Sequence, residues 1–197
     1  MYAIVKDGQI VKKGNSLKLL FPNVVIPAVG TDSFDTWKTA NCIMDVVYGA
    51  RKDERFYFNS EDAPVIEDGV VKINYTSIAK LLNDREESDA DGNPMFVKVL
   101  STNEAGESVM VDSDVRMVTK GLKSQWTAQV KETANKLLSA TDWTVIRKAE
   151  RDVAIPDDIV AKRAAIVAEC SRLETAISAA ADVDALKAVV DAQKWGN

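Results

Sequence analysis

Histidine is absent from the 197-residue chain. Without an imidazole side chain, the sequence excludes Ser-His-Asp and Cys-His catalysis, zinc sites with histidine ligands, and pH switches based on histidine titration. Cysteine is scarce as well, because Cys42 and Cys170 are the only two and no CxxC pair is present. This usage predicts two small buried apolar residues in a reducing compartment, with a disulfide between them as the unsupported alternative.

Long apolar runs and excess positive charge are also missing. No run approaches the roughly 18–20 apolar residues of a transmembrane helix, and charges interrupt the N-terminal MYAIVKDGQIVKKG, so that no secretion signal is visible. The chain has 25 Lys and Arg against 30 Asp and Glu, a formal net charge of −5 and a pI of about 4.9. Binding to nucleic acid or to an anionic membrane requires clustered Lys and Arg, so we expect neither partner.

The motifs of common enzyme sites are missing too. The sequence has no Gly-rich phosphate loop, no nucleophile elbow and no metal-ligand spacing. A DADG fragment is similar to part of a calcium-binding loop, but the closing glutamate is not at the required position. We therefore expect no catalytic residue, no metal site and no cofactor, and we interpret the chain as a binding protein rather than an enzyme.

The chain is long enough to form one domain, or two small ones, with a hydrophobic core. Its composition, 46% hydrophobic and 28% charged, is ordinary for a globular protein. In the first part, Asp7-Gly8 and Asp68-Gly69 each separate two short apolar runs, which predicts two-residue hairpin turns. A third hairpin with a longer loop is predicted within MFVKVLSTNEAGESVMVDS.

Two short helices are predicted among these strands. One covers TDSFDTWKTAN with Asp32 or Ser33 as its N-cap, and the other covers TSIAKLLND with Thr76 or Ser77 as its N-cap. The polar and acidic segment 83–94 is predicted to be a loop or linker.

From residue 113 onward, apolar residues recur at spacings of three and four, which is typical of an amphipathic helix. Its N-cap would be Ser113 or Asp114, and Gly121 would mark a kink or a later start. The apolar stripe of this helix comprises Val115, Val118, Leu122, Trp126, Val130, Ala134 and Leu137.

Two further helices complete the C-terminal part. One follows Pro156, which suits the first turn of a helix, and the last is capped by Asp182 and ended by Gly196. Strands followed by helices predict an α+β fold. We expect a β-rich N-terminal module of hairpins over residues 1–112 and a helical hairpin or three-helix module over residues 113–197.

The segment SATDWTVIRKAERDVAIPDD joins the first two of these helices and is dense in polar residues. A helical WTVIRKAER would place Arg147 beside Trp143 and would let Glu150 pair with Arg147. Asp142 is a candidate cap for this short helix. Each polar residue thus has a structural role in a helix joint, and a hydrolase that uses Glu150 or Asp142 is the enzymatic alternative.

The segment Leu137 to Ile166 resembles the C-terminal domain of bacteriophage tail fibre assembly proteins, also called phage tail assembly chaperones. The family pattern has two leucines, a Thr-Asp-Trp step, an arginine, a glutamate, and a proline leading into an arginine-bearing helix. The matching positions are Leu137, Leu138, Thr141, Asp142, Trp143, Arg147, Glu150, Pro156 and Arg163. The chain departs from the pattern at Arg151-Asp152, where a glycine is common, and at Lys162, where an aromatic residue is common.

This resemblance implies a function in tail assembly. Members of the family help the C-terminal tip of the tail fibre to fold or trimerise, and some stay attached in the finished particle. The implied partner is a phage tail fibre or another tail protein, in a homo- or hetero-oligomer within the tail, and the implied location is the virion tail or the host cytoplasm during assembly. The alternative is a permanent structural component of the tail. The expected partner-binding residues are Trp143, Ile146, Arg147 and Glu150, since Trp beside Arg is a typical hot-spot composition.

Overall fold

A computed structural model describes residues 1–195, and its chain divides into two compact units, of which the first is Met1–Ile78 and the second begins at Ala79. The predicted α+β class is confirmed, with strands first and helices last. The elements up to the boundary are β1 (Tyr2–Lys6), β2 (Gln9–Gly14), α1 (Leu17–Leu20), α2 (Asp32–Ala40), β3 (Ile43–Tyr48), β4 (Tyr57–Glu61), β5 (Val65–Glu67), β6 (Val70–Ile73) and β7 (Tyr75–Ala79), which spans it. The elements that follow are β8 (Arg85–Glu86), β9 (Phe96–Thr102), β10 (Ser108–Arg116), β11 (Val118–Thr119), α3 (Leu122–Ser139), α4 (Asp142–Arg151), α5 (Asp157–Ala179) and α6 (Val183–Asp191).

The first unit is built on a five-stranded sheet with the order β2-β1-β3-β6-β5, in which only the β3–β6 pair is parallel. Its buried core comprises Ala3, Val5, Val46, Val71 and Ile73. Both predicted Asp-Gly turns are confirmed. All four turn residues have positive φ angles between 52° and 74°, as two-residue hairpin turns of this type require.

Two helix predictions in this unit need correction. The N-cap of α2 is Thr31, whose Oγ1 accepts a hydrogen bond from the Phe34 amide at 3.2 Å, rather than Asp32 or Ser33. The predicted helix over TSIAKLLND is wrong, because its first four residues belong to β7, which pairs with β4, and residues 80–84 form neither helix nor strand. The hydroxyl of Ser77 does not cap a helix but donates across the strand pair to Asn59 at 2.6 Å.

In the second unit, β9 and β10 form a two-stranded antiparallel ribbon, which confirms the third predicted hairpin. The helix expected from residue 113 is wrong over its first nine positions, since β10 continues to Arg116 and β11 follows. Arg116 pairs with Phe96 across the ribbon, and Val118 and Thr119 pair with β8 in a separate two-stranded sheet. The module boundary expected at residue 112 therefore lies inside β10, away from the observed division after Ile78.

The start of α3 is fixed by residues 81–84, at the beginning of the segment that was predicted to be a linker and just before it. The amides of Leu122 and Lys123 donate to the carbonyls of Leu81 and Leu82 at 2.7 and 3.0 Å, and the Gly121 amide donates to Asp84 at 2.8 Å. These contacts satisfy amides that have no partner within the helix. Hydrogen bonds from Ser124, Lys120 and the Gly121 amide lower the pKa of Asp84 to about 2. The later helix start at Gly121 is thus confirmed.

The helical part of this unit packs α3 against α5, with α6 against both. Its buried apolar side chains are Leu122, Val130 and Ala134 from α3, Ile166, Leu173 and Ile177 from α5, and Val183, Leu186 and Val190 from α6. Asp182 caps α6 as predicted, by accepting from the Ala185 amide at 2.8 Å. The helix ends at Asp191, and the predicted stop at Gly196 lies outside the described residues. Among residues 1–195, no helix has the length and apolar character needed to span a membrane.

Candidate partner-binding site

The joint between α3 and α5 contains the short helix α4, as the polar segment predicted. The helix begins after Thr141 and ends where Asp152 adopts a left-handed backbone conformation with φ of 53°. Pro156 then occupies the N-cap of α5, with φ of −55°. Only a few residues therefore connect α4 to α3 on one side and to α5 on the other.

Arg163 of α5 holds this joint together. Its Nη1 donates to the carbonyl of Leu138 at 2.8 Å and to Oγ1 of Thr141 at 2.7 Å, and it lies 2.9 Å from Oδ1 of Asp142. One guanidinium group thus connects the end of α3, the N-cap of α4 and the first turn of α4. The sequence pattern indicated no such role for Arg163, because its partners lie outside α5. Asp142 is not the cap that we predicted, since Thr141 occupies the N-cap and Asp142 instead pairs with Arg163.

The inner side of α4 is anchored by Thr144, the one fully buried polar residue among those described. Its hydroxyl donates to the Thr141 carbonyl at 2.7 Å, so the buried oxygen has a partner. Because the helix turns by about 100° per residue, burying Thr144 directs its neighbours outward. Trp143 is 54% exposed and Ile146 is 55% exposed.

Arg147 is half-buried, and its guanidinium lies 5.0 Å from the centre of the Trp143 ring, which confirms the predicted i,i+4 neighbours. A cation at this distance from an indole face is attracted by the ring quadrupole. We call Trp143, Ile146 and Arg147 the α4 surface. Glu150 lies exposed one turn further on, but among residues 1–195 no ion pair links it to Arg147, so that predicted pair is wrong.

A groove of about 290 Å³ lies between α3 and α5 and contains Cys170. The Cys170 thiol donates to Glu174 at 3.3 Å, and Glu174 also pairs with Lys131 at 3.2 Å. Burial, and then the hydrogen bond to Glu174, raise the pKa of the Cys170 thiol, which disfavours the reactive thiolate. Both cysteines are free thiols. Cys42 is exposed, so its predicted burial is wrong.

The hydrolase alternative would use the carboxylates of Asp142 and Glu150, whose surroundings differ from each other. Asp142 is paired with Arg163, and Glu150 is exposed on the last turns of α4. Within residues 1–195, no group of three or more Cys, Asp and Glu side chains is placed to hold a metal ion. What the joint presents is an aromatic, apolar and cationic surface of the kind that binds other proteins.

Comparisons of this chain with protein-family models, with curated proteins and with solved structures found no match. The likeness to tail assembly proteins therefore depends on the sequence motif between Leu137 and Ile166 alone.

Proposed function

We propose that this protein is a non-enzymatic phage tail assembly factor, which binds a tail fibre or another tail subunit through the α4 surface. The observation that carries the proposal is the position of Trp143. This large aromatic side chain is more than half exposed and contacts Arg147, on a helix that the buried Thr144 anchors.

The chemistry of the α4 surface favours protein binding. Trp and Arg are the residue types most enriched among interface hot spots, and an apolar neighbour such as Ile146 extends the area that a partner can bury. The Arg163 network fixes α4 before a partner arrives. Binding to a surface that is already ordered loses less conformational entropy, which increases affinity.

The motif residues fall into two groups with distinct physical roles, which supports the proposal. Leu138, Thr141 and Arg163 bond to one another and orient α4. Trp143 and Arg147 contact each other on α4. A motif that specifies both a rigid joint and the surface on that joint is expected of a docking element.

The properties of the proposed partner, a trimeric tail fibre, also agree with an assembly function. Trimeric fibre tips are slow-folding β structures with apolar edges that are exposed before assembly, and such edges aggregate unless they are covered. A factor that covers them would act in the host cytoplasm during assembly, or would remain on the virion tail.

Co-expression with a tail fibre subunit from the same genome tests the proposal. We expect the yield of soluble fibre trimer to rise with this protein, and Trp143→Ala to lower both the yield and the binding affinity, the latter about tenfold or more. Phe58→Ala is the matched control, because Phe58 is an aromatic residue of the first unit with 61% exposure. Equal yields of trimer with and without the protein would rule out the assembly function. A fixed copy number in purified particles would identify a permanent tail component instead.

A further inference from the structure

The β9–β10 ribbon exposes apolar side chains along its length. Leu100 and Met110 lie opposite each other on one face and are 70% and 57% exposed, and Val99 and Val111 form an exposed pair on the other face. Within residues 1–195, the sheet containing β9 and β10 has no third strand. Two-stranded ribbons are marginally stable in water unless a further strand or a packed layer covers them.

The two edges of this ribbon are not equally protected. The β10 edge has a bulge between Asp112 and Arg116 and also contains the charged Asp114, features that hinder the addition of another strand. In contrast, β9 has the sequence FVKVLST, with Lys98 as its single charge and no proline, glycine or bulge. The β9 edge therefore lacks the protection that the β10 edge has.

The hydrogen-bond register shows which backbone N–H and C=O groups of β9 have no partner in β10. At the turn, the Asn103 amide donates to the Glu107 carbonyl at 2.9 Å. Hydrogen-bonded pairs alternate with non-bonded pairs along an antiparallel ladder. The backbone N–H and C=O groups of Lys98, Leu100 and Thr102 consequently point away from β10, toward the free edge.

We propose that β9 pairs antiparallel with β9 of a second copy of this chain, around a two-fold axis at Leu100. Each Leu100 then faces the Leu100 of the other copy, and each Lys98 faces a Thr102. The four-stranded sheet so formed carries an unbroken apolar row of two Leu100 and two Met110 side chains across one face. This inference is independent of the proposed tail function.

Charge is the reason for choosing a second copy as the occupant. In the antiparallel arrangement, Lys98 of one copy faces the uncharged Thr102 of the other, next to the acidic turn that contains Glu104 and Glu107. No like charges face each other along β9.

Sedimentation velocity over a wide range of concentration tests the pairing. We expect a monomer–dimer equilibrium that Leu100→Lys weakens about tenfold or more, since it places like charges opposite each other and removes the apolar contact. Met110→Lys is the matched control, because it changes the same face at the outer edge, and its dimer should weaken by less than about threefold. A wild-type chain that stays monomeric, or two variants that weaken equally, would overturn the proposal.

A charge swap tests the two-fold axis. Leu100→Lys mixed with Leu100→Glu should form a mixed dimer more tightly than either variant pairs with itself, and failure to do so would refute the register. Hydrogen exchange of the wild-type chain avoids any concern about folding of the variants. When the protein concentration is raised, the amides of Lys98, Leu100 and Thr102 should become protected from exchange, while the Met110 amide should not. Equal protection of both strands, or of neither, would contradict pairing through β9.

Discussion

Replacing Arg163 by alanine gives the most direct test of how α4 is positioned. The change removes two charge-assisted hydrogen bonds, to the Leu138 carbonyl and the Thr141 hydroxyl, and the ion pair with Asp142. The Leu138 carbonyl keeps a hydrogen bond from the Thr141 hydroxyl at 3.0 Å, so it is not left without a donor.

The magnitude follows from these contacts. Hydrogen bonds to a charged group contribute about 1.5–3 kcal/mol, and the ion pair adds at most about 1 kcal/mol because Asp142 is exposed. Since contributions that share one guanidinium are not additive, we expect Arg163→Ala to lower the free energy of unfolding by about 2–3 kcal/mol. For a chain of this size that corresponds to a Tm about 4–12 °C lower.

Urea unfolding followed by circular dichroism measures the effect, with Lys162→Ala as control. Lys162 is the exposed neighbour of Arg163 on α5, and its removal should change stability by less than about 0.5 kcal/mol. A double-mutant cycle with Thr141→Val should give a coupling energy of about 0.5 kcal/mol or more. If Arg163→Ala unfolds like the control, or if the coupling is zero, Arg163 does not hold the joint.

Three further predictions concern the second unit. Gly121→Ala should destabilise the protein by about 1–3 kcal/mol in urea unfolding, because the added Cβ would lie 2.4 Å from the Asn83 carbonyl; a neutral effect would contradict this close approach. The folded-state pKa of Asp84 is lowered to about 2, so its contribution to stability is complete above about pH 4 and is lost as the pH falls toward 2. Asp84→Asn should therefore differ from wild type more at pH 7 than at pH 2.5, and a difference independent of pH would exclude this cause. Trp143→Ala should change the free energy of unfolding by less than about 1 kcal/mol, since the ring is half exposed; a larger loss would mean that Trp143 belongs to the core.

Features that depend on local chemistry could be predicted from the sequence. The Asp7-Gly8 turn follows from the positive φ angles that these residues accept, and the contact of Trp143 with Arg147 follows from their helical spacing. The Asp182 cap of α6 is likewise a local interaction. Each of these features involves residues within about four positions of one another, where the amino-acid pattern and the geometry correspond directly.

Features that depend on distant parts of the chain could not be predicted in the same way. Val115 and Val118 continue the apolar spacing of α3, yet they lie in strands, because the ribbon extends beyond the point where the periodicity changes. The position of the helix start is set by carbonyls about 40 residues earlier in the chain. For the candidate site, the motif predicted which residues lie on α4, but which of them are exposed depends on the burial of Thr144, and no local pattern indicated that.

The contacts at the start of α3 limit where this protein can be cut into independent pieces. A fragment that begins at residue 113 would lose the carbonyls of Leu81 and Leu82 and the carboxylate of Asp84, which accept hydrogen bonds at the start of α3. It would also separate β10 from β9. A fragment that begins at Ala79 keeps all of these acceptors. The smallest fragment that keeps the contacts at the start of α3 thus begins before the ribbon, at Ala79, and includes both the ribbon and the helices.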